Sequence, residues 1–166
     1  MSRGFVPVKP SALRKGIRRI WSRIPGEEYE FDFKKPIRST KHSAGYDFFS
    51  PLDFELRPGE SITIPTGFKV YMEEDECLKL HPRSGQGFKF FVRLANTTGI
   101  IDSDYYGNPK NDGHILIKIR NEGEDVMEVE KGEAFAQGIF QKYLITDDDS
   151  FEEGKEREGG IGSTDE

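Results

Sequence analysis

Ser61-Ile62-Thr63-Ile64-Pro65-Thr66-Gly67-Phe68-Lys69-Val70-Tyr71-Met72 is the stretch that decides the fold class. Two short runs of β-branched and aromatic residues flank Pro65-Thr66-Gly67. There proline pre-sets one φ and glycine supplies the freedom to reverse direction. The same texture continues outward: Cys77 to Leu80, Phe90 to Leu94, Ile115 to Ile119, Asp125 to Val129 and Ala134 to Tyr143 are β-type runs. Arg57-Pro58-Gly59, Asn121-Glu122-Gly123 and Lys131-Gly132 mark further turns. Many short strands at this spacing predict a mostly β protein, a jelly-roll-like sandwich, with no internal repeat.

Upstream, Ser11 to Ile24 reads as a short amphipathic helix. Leu13, Ile17, Ile20, Trp21 and Ile24 recur at steps of three and four, Ser11 is placed to cap, and Pro25 to stop it. Its other face is basic, and docking on the main domain or a neighbouring subunit is the simpler use for it. Downstream of Tyr143 the pattern fades into an acidic stretch and then Gly159-Gly160-Ile161-Gly162-Ser163-Thr164, too polar and Gly-rich to offset its own ordering entropy. This tail is expected to be mobile until something binds it. The chain thus divides into an amino-terminal extension (1–42), a β domain (43–145) and an acidic linker with a carboxy-terminal lid (146–166).

Composition narrows the function. With 166 residues, 34% hydrophobic, 33% charged and twenty aromatics, the chain can bury one core. No apolar run approaches the roughly 18 residues that span a bilayer, and Met1 to Arg23 lacks the apolar block of a signal peptide, so a cytoplasmic protein without membrane contact is expected. Cys77 stands alone and three scattered histidines leave a Cys/His zinc site short of ligands. The net charge of −6 conceals +7 over Met1 to Arg23 and −7 over Asp147 to Glu166. The acidic balance argues against general nucleic-acid binding, although the basic end suits a polyanion or an acidic neighbour.

Polar clusters interrupt the strands where packing gives no reason for them: Ser43-Ala44-Gly45-Tyr46-Asp47, His81-Pro82-Arg83-Ser84-Gly85, Gly99-Ile100-Ile101-Asp102-Ser103-Asp104-Tyr105 and the Gly-rich tail. Guanidinium groups and N–H donors hold phosphate oxygens, while carboxylates order a divalent ion and its waters, so the set suits a phosphorylated ligand with a metal. Asp102-Ser103-Asp104 is no calcium loop, because Tyr106 stands where a third oxygen is wanted and Gly113 where the closing Glu belongs. No Walker loop is present, and His42, His81 and His114 read as polar surface or strand residues.

In order, Ala44-Gly45-Tyr46-Asp47, Pro82-Arg83-Ser84-Gly85, Asn96 through Tyr105, Gly132-Glu133-Ala134-Phe135-Ala136-Gln137 and Arg157-Glu158-Gly159-Gly160-Ile161-Gly162-Ser163-Thr164 resemble the five motifs of the trimeric dUTPases. The resemblance covers Ser43 to Thr164 and leaves the first 40 or so residues outside. It implies the jelly-roll fold of that family and hydrolysis of dUTP to dUMP and pyrophosphate, by in-line attack of water on the α-phosphorus with Mg²⁺ on the triphosphate. Asp102 takes the position of the general base, and Asp47 that of the acid reaching Mg²⁺ through a bound water. Arg83, Ser84, Gly85 and Gln137 match phosphate contacts. Asn96, Gly99 and Ile101 match the hairpin that reads uracil, and Tyr105 the ring beneath deoxyribose that excludes a ribose 2′-hydroxyl. Arg157, Ile161, Gly162, Ser163 and Thr164 match the lid, with Arg157 on the terminal phosphate. A homotrimer with shared sites and a lid from a third chain is implied.

Three departures from the family pattern stand out. Ile161 replaces the usual Phe that stacks on uracil, an aromatic contact worth roughly 0.5–1.5 kcal/mol, which predicts weaker dUTP binding. Ala134 stands where Arg is frequent, and Tyr106 to Gly113 forms a longer turn that reads as a surface loop. The alternative to an enzyme is a regulatory protein that keeps the fold and binds a partner in a nucleotide-sensitive way. Retention of Asp102, Asp47 and Tyr105 argues against it, since a binding module needs no water-activating base.

Overall fold

A computed structural model describes residues 2–24, 26 and 28–160. Among these residues twelve strands run β1 (Gly4–Pro7), β2 (Ile37–Arg38), β3 (Tyr46–Phe49), β4 (Phe54–Leu56), β5 (Ser61–Pro65), β6 (Phe68–Tyr71), β7 (Glu76–Pro82), β8 (Val92–Leu94), β9 (Gly99–Asp102), β10 (Leu116–Asn121), β11 (Met127–Val129) and β12 (Ala134–Lys142). A five-stranded antiparallel sheet has the order β2-β3-β12-β7-β9 and faces a three-stranded sheet, β5-β10-β8. The pairs β11-β4 and β1-β6 complete the walls. Period-two alternation builds the interior: on β10, Ile117, Ile119 and Asn121 point in while Lys118 and Arg120 point out. One cluster joins the walls, with Phe48, Leu78 and Phe135 of the larger sheet against Ile64, Ile117 and Ile119 of the smaller. Each such fully buried side chain contributes about 1.5–3 kcal/mol.

The amino-terminal residues belong to this core. Strand β1, which carries no sequence signal of its own, pairs with β6 and inserts Phe5 edge-on against Phe48. Arg3 holds the buried Glu76 through Nε and Nη2. The expected helix over Ser11 to Ile24 is shorter and differently capped. Helix α1 spans Pro10–Ile17 with Lys9 at its N-cap and Pro10 as its first residue, so Ser11 caps nothing. From Arg18 to Arg23 the chain tightens to a 3-10 helix. In this tighter helix Ile20 is fully buried in the core, while Trp21, expected on the apolar face, is 59% exposed.

Between β7 and β8 the structure adds a helix the sequence does not announce, α2 (Ser84–Phe90), and Phe90, expected to begin a strand, ends it. It buries no residue. The turn from Tyr106 to Gly113 is no idle surface loop. Asp112, 7% exposed, accepts the Lys9 N–H at the start of α1 (2.8 Å) and both its oxygens meet Lys69 Nζ (2.9 and 3.0 Å). His114, expected at a surface or in a strand, is 1% exposed and lies against Ala12 and Gly67.

Candidate active site

Strand β9 reaches the site through a tight reversal. Thr97, at φ 63°, donates to Leu94 O, and Gly99 then packs on Leu80 so closely that a Cβ would lie 3.0 Å from that of Leu80. Beyond Asp102 the chain turns through the 3-10 segment Ser103–Tyr105. The Asp102 carboxylate makes no capping bond to that turn and lines a cavity of about 330 Å³. Asn96, Gly99, Ile101, Asp102, Tyr105 and Arg157, all expected from the motifs, line this one cavity. Leu80, Leu94, Leu116 and Ile117 add an apolar part to its lining, and Lys118 a charge. No local pattern points to these five, because nothing distinguishes them from other strand residues.

The charges in this cavity are arranged around Asp102. Burial pushes its carboxyl above the ordinary 3.8, the Arg157 guanidinium opposes that rise, and Asp104 adds to it. Arg157 Nη2 donates to Asp102 Oδ2 at 2.6 Å and Nε to Asp104 Oδ1 at 2.7 Å. Tyr105 is 9% exposed; its hydroxyl donates to His114 O (2.9 Å) and accepts from Asn111 Nδ2 (2.7 Å). Asn108 Nδ2 donates to Gly159 O at 2.5 Å, which brings the tail past the same turn. Sequence reasoning does not find Asn108 and Asn111, because their contacts are made by folding. Ile161, Gly162, Ser163 and Thr164 lie outside the described residues.

The other motif residues form a second cluster. Asp47 on β3 and Gln137 on β12 are register partners, and Gln137 is opposite His81 on β7. Arg83 Nη1 pairs with Asp47 Oδ2 at 2.5 Å, and Gln137 Nε2 donates to Pro82 O at 3.0 Å. Gly45 lies close against Gln137: a Cβ there would displace the Gln137 amide oxygen from its present position. Ser84 and Gly85 are exposed at the start of α2, beside a cavity of about 560 Å³ lined by Arg83, Gln86 and Lys89. Among the described residues no three His, Cys, Asp or Glu side chains converge to cage a metal. The donor set, one buried carboxylate beside an arginine, fits an ion that brings its own ligands, phosphate oxygens and water, as Mg²⁺ does.

The two clusters occupy opposite ends of β7. Asp102 is opposite Cys77 and Gln137 opposite His81, so four residues along the strand and two strand spacings across separate them, roughly 16 Å.

A family model described as dUTPase matches residues 32–165, so the likeness begins eleven residues before Ser43, where the motifs alone place it. The deoxyuridine 5′-triphosphate nucleotidohydrolase of Lactococcus lactis is 45% identical over 129 residues, 78% of this chain and 86% of that protein. The crystal structure of a dUTPase from Streptococcus mutans superposes with a TM-score of 0.64 at 33% identity, covering 87% of this chain and 98% of the other. A phage phi11 dUTPase of S. aureus, in which a structural Mg(II) ion is coordinated, shares the fold at a TM-score of 0.62 and 20% identity, over 92% and 98% of the two chains.

Proposed function

The chain belongs to the dUTPase family, and from that premise we propose that it hydrolyses dUTP to dUMP and pyrophosphate by water attack on the α-phosphorus. The observation that carries the reading is the Asp102 carboxylate, which makes no capping bond to the turn after it and whose side-chain partner is Arg157 of the tail, lining one cavity with Asn96, Gly99 and the buried Tyr105. A carboxylate so placed orients a water and takes its proton, and its raised pKa makes it a better base than a free aspartate. Backbone groups from Asn96 to Ile101 pair with the polar edge of uracil. Cytosine, with donor and acceptor exchanged, would leave buried groups unpaired. The Tyr105 ring forms a platform for the sugar with no room for a 2′-hydroxyl.

Arg83, Ser84, Gly85 and Gln137 hold the phosphate chain, and Asp47 orders the water shell of Mg²⁺, which when bound neutralises charge on the triphosphate. Arg157 leaves Asp102 for the terminal phosphate as the lid closes, since the base cannot work with its oxygen held by a guanidinium. Ile161, Gly162, Ser163 and Thr164 complete that lid. The separation of the two clusters supports a site assembled from neighbouring copies: a base must stand within about 3 Å of the water it activates, yet the phosphate contacts of the same chain lie far across the sheet. We infer a homotrimer.

Incubation with dUTP and with dCTP in the presence of Mg²⁺, assaying pyrophosphate and ammonia, tests the activity. Pyrophosphate from dUTP alone is expected. Ammonia from dCTP, or no turnover, would overturn the reading. Solution mass tests the assembly, and an active monomer would end the shared-site account.

A further inference from the structure

We propose that Asn111 is a positioning residue for sugar specificity: by donating to the Tyr105 hydroxyl it fixes the ring against which a ribose 2′-hydroxyl is rejected. The inference rests on the proposed nucleotide hydrolysis and names the device that enforces one part of it. The Tyr105 hydroxyl is engaged on both sides, accepting from Asn111 Nδ2 at 2.7 Å and donating to His114 O at 2.9 Å. A phenol gripped at one point can tilt about that contact. Gripped at two, it is held in plane and depth.

The gripping turn is itself rigid. Asn111 Oδ1 accepts the Gly113 N–H at 3.1 Å. Asp112 and Gly113 sit at φ 60° and 75°, and a Cβ on Gly113 would lie 2.6 Å from Tyr105 O. Asp112 is anchored to Lys69 and to the start of α1, and the His114 ring is wedged between the backbones of Ala12 and Gly67. The amino-terminal helix and the long turn, which the catalytic motifs leave unexplained, thus brace one hydroxyl. Gly160 passes over the same pair: a Cβ there would lie 3.4 Å from Asn111 Nδ2 and 3.5 Å from Tyr105 Cε2, so the platform and the lid meet at this residue.

A sub-ångström shift of the ring decides whether one added oxygen fits, and rejection by a packed wall is only as strong as the wall is stiff. The test uses Asn111→Asp, which keeps the shape and the acceptor for Gly113 N–H but removes the donor to Tyr105, together with Tyr105→Phe and the double variant. Specificity is read as the ratio of kcat/KM for dUTP to that for UTP. For N111D the ratio is expected to fall roughly tenfold, chiefly through better use of UTP. In the Y105F background the same change should move the ratio by less than about twofold, because the hydroxyl through which Asn111 acts is gone.

An unchanged ratio in N111D, with wild-type dUTP turnover intact, overturns the proposal and leaves the proposed hydrolysis standing. An equal fall in both backgrounds also overturns it, since Asn111 would then act through the fold. A wild-type protein that cleaves neither nucleotide defeats the functional reading first, and this inference with it. Should N111D melt early, Asn111→Ala assayed at low temperature supplies the ratio instead: a fall supports the proposal and an unchanged value overturns it.

Discussion

Arg157 and Asp102, 55 residues apart in sequence, meet through Nη2 and Oδ2 at 2.6 Å, and the same guanidinium reaches Asp104. The tail therefore lies across the proposed base. Arg157→Ala removes the charge that opposes the burial of Asp102, so the Asp102 pKa moves further up. The acidic limb of the kcat/KM profile should shift to higher pH, and the loss of a charge-assisted phosphate contact should lower kcat/KM about 10–100-fold. Initial rates from about pH 4.5 to 8, spanning the carboxylate and neutral ranges, check both. A profile that stays in place would show that the ion pair has no hold on the base.

Asp102→Asn keeps the shape and removes the basicity. A fall in kcat of about 10³, with the melting temperature unchanged within a few degrees, is expected from the loss of a positioned general base. Comparable turnover in the variant would move the base elsewhere.

His114 links stability to pH. Burial lowers its pKa from 6.5 to about 4, and the ring accepts from Gly67 N–H at Nε2, a position that a second proton would spoil. The unfolded chain protonates near 6.5 and the folded chain only near 4, so in that window the unfolded state binds more protons. Stability is greatest above pH 6.5 and is lost as pH falls toward 4, by on the order of 3 kcal/mol for this group. Urea midpoints at about pH 7.5 and pH 5, for wild type and for His114→Gln, should show the slope shrinking in the variant.

Asp112 joins three segments. Asp112→Ala leaves Lys69, whose side chain is 12% exposed, without its partner, and strips the helix start of its acceptor. A cost of about 3 kcal/mol is expected by chemical denaturation. Faster proteolysis near α1 than in wild type would locate the loosening. A loss under about 1 kcal/mol, the scale of an exposed ion pair, would mean that the turn is held by its other contacts.

The residues divide by how local their reasons are. Strands β5 and β6 are legible because Pro65-Thr66-Gly67 separates two runs with the right chemistry, and β7 and β12 because each concentrates apolar residues, Cys77, Leu78 and Leu80 in one and Phe135, Ala136, Ile139 and Phe140 in the other. Strand β3, Tyr46–Phe49, is not, since its burial does not alternate and its buried Asp47 is there for Arg83. Helix α2 holds two glycines among its seven residues and buries none, so no amphipathic signal exists to find. In the candidate site the motifs pick out Asp102 and Tyr105, which the fold brings to one cavity, and Arg83, which it pairs with Asp47. Asn108 and His114 take their roles from partners at positions 159 and 12, far outside any local window, whereas Asn111 meets Tyr105 only six residues away, through a turn in which Asp112 and Gly113 both take positive φ and which no local pattern announces.

The span of β7 between Cys77 and His81 has a genetic consequence. If each chain lends its base to one catalytic centre and its arginine to another, a polypeptide broken at Asp102 still carries a sound phosphate cradle, and one broken at Arg83 still carries a sound base. Two dead alleles of this kind, expressed together, should rescue one another in mixed assemblies, a property that a protein with self-contained centres cannot have.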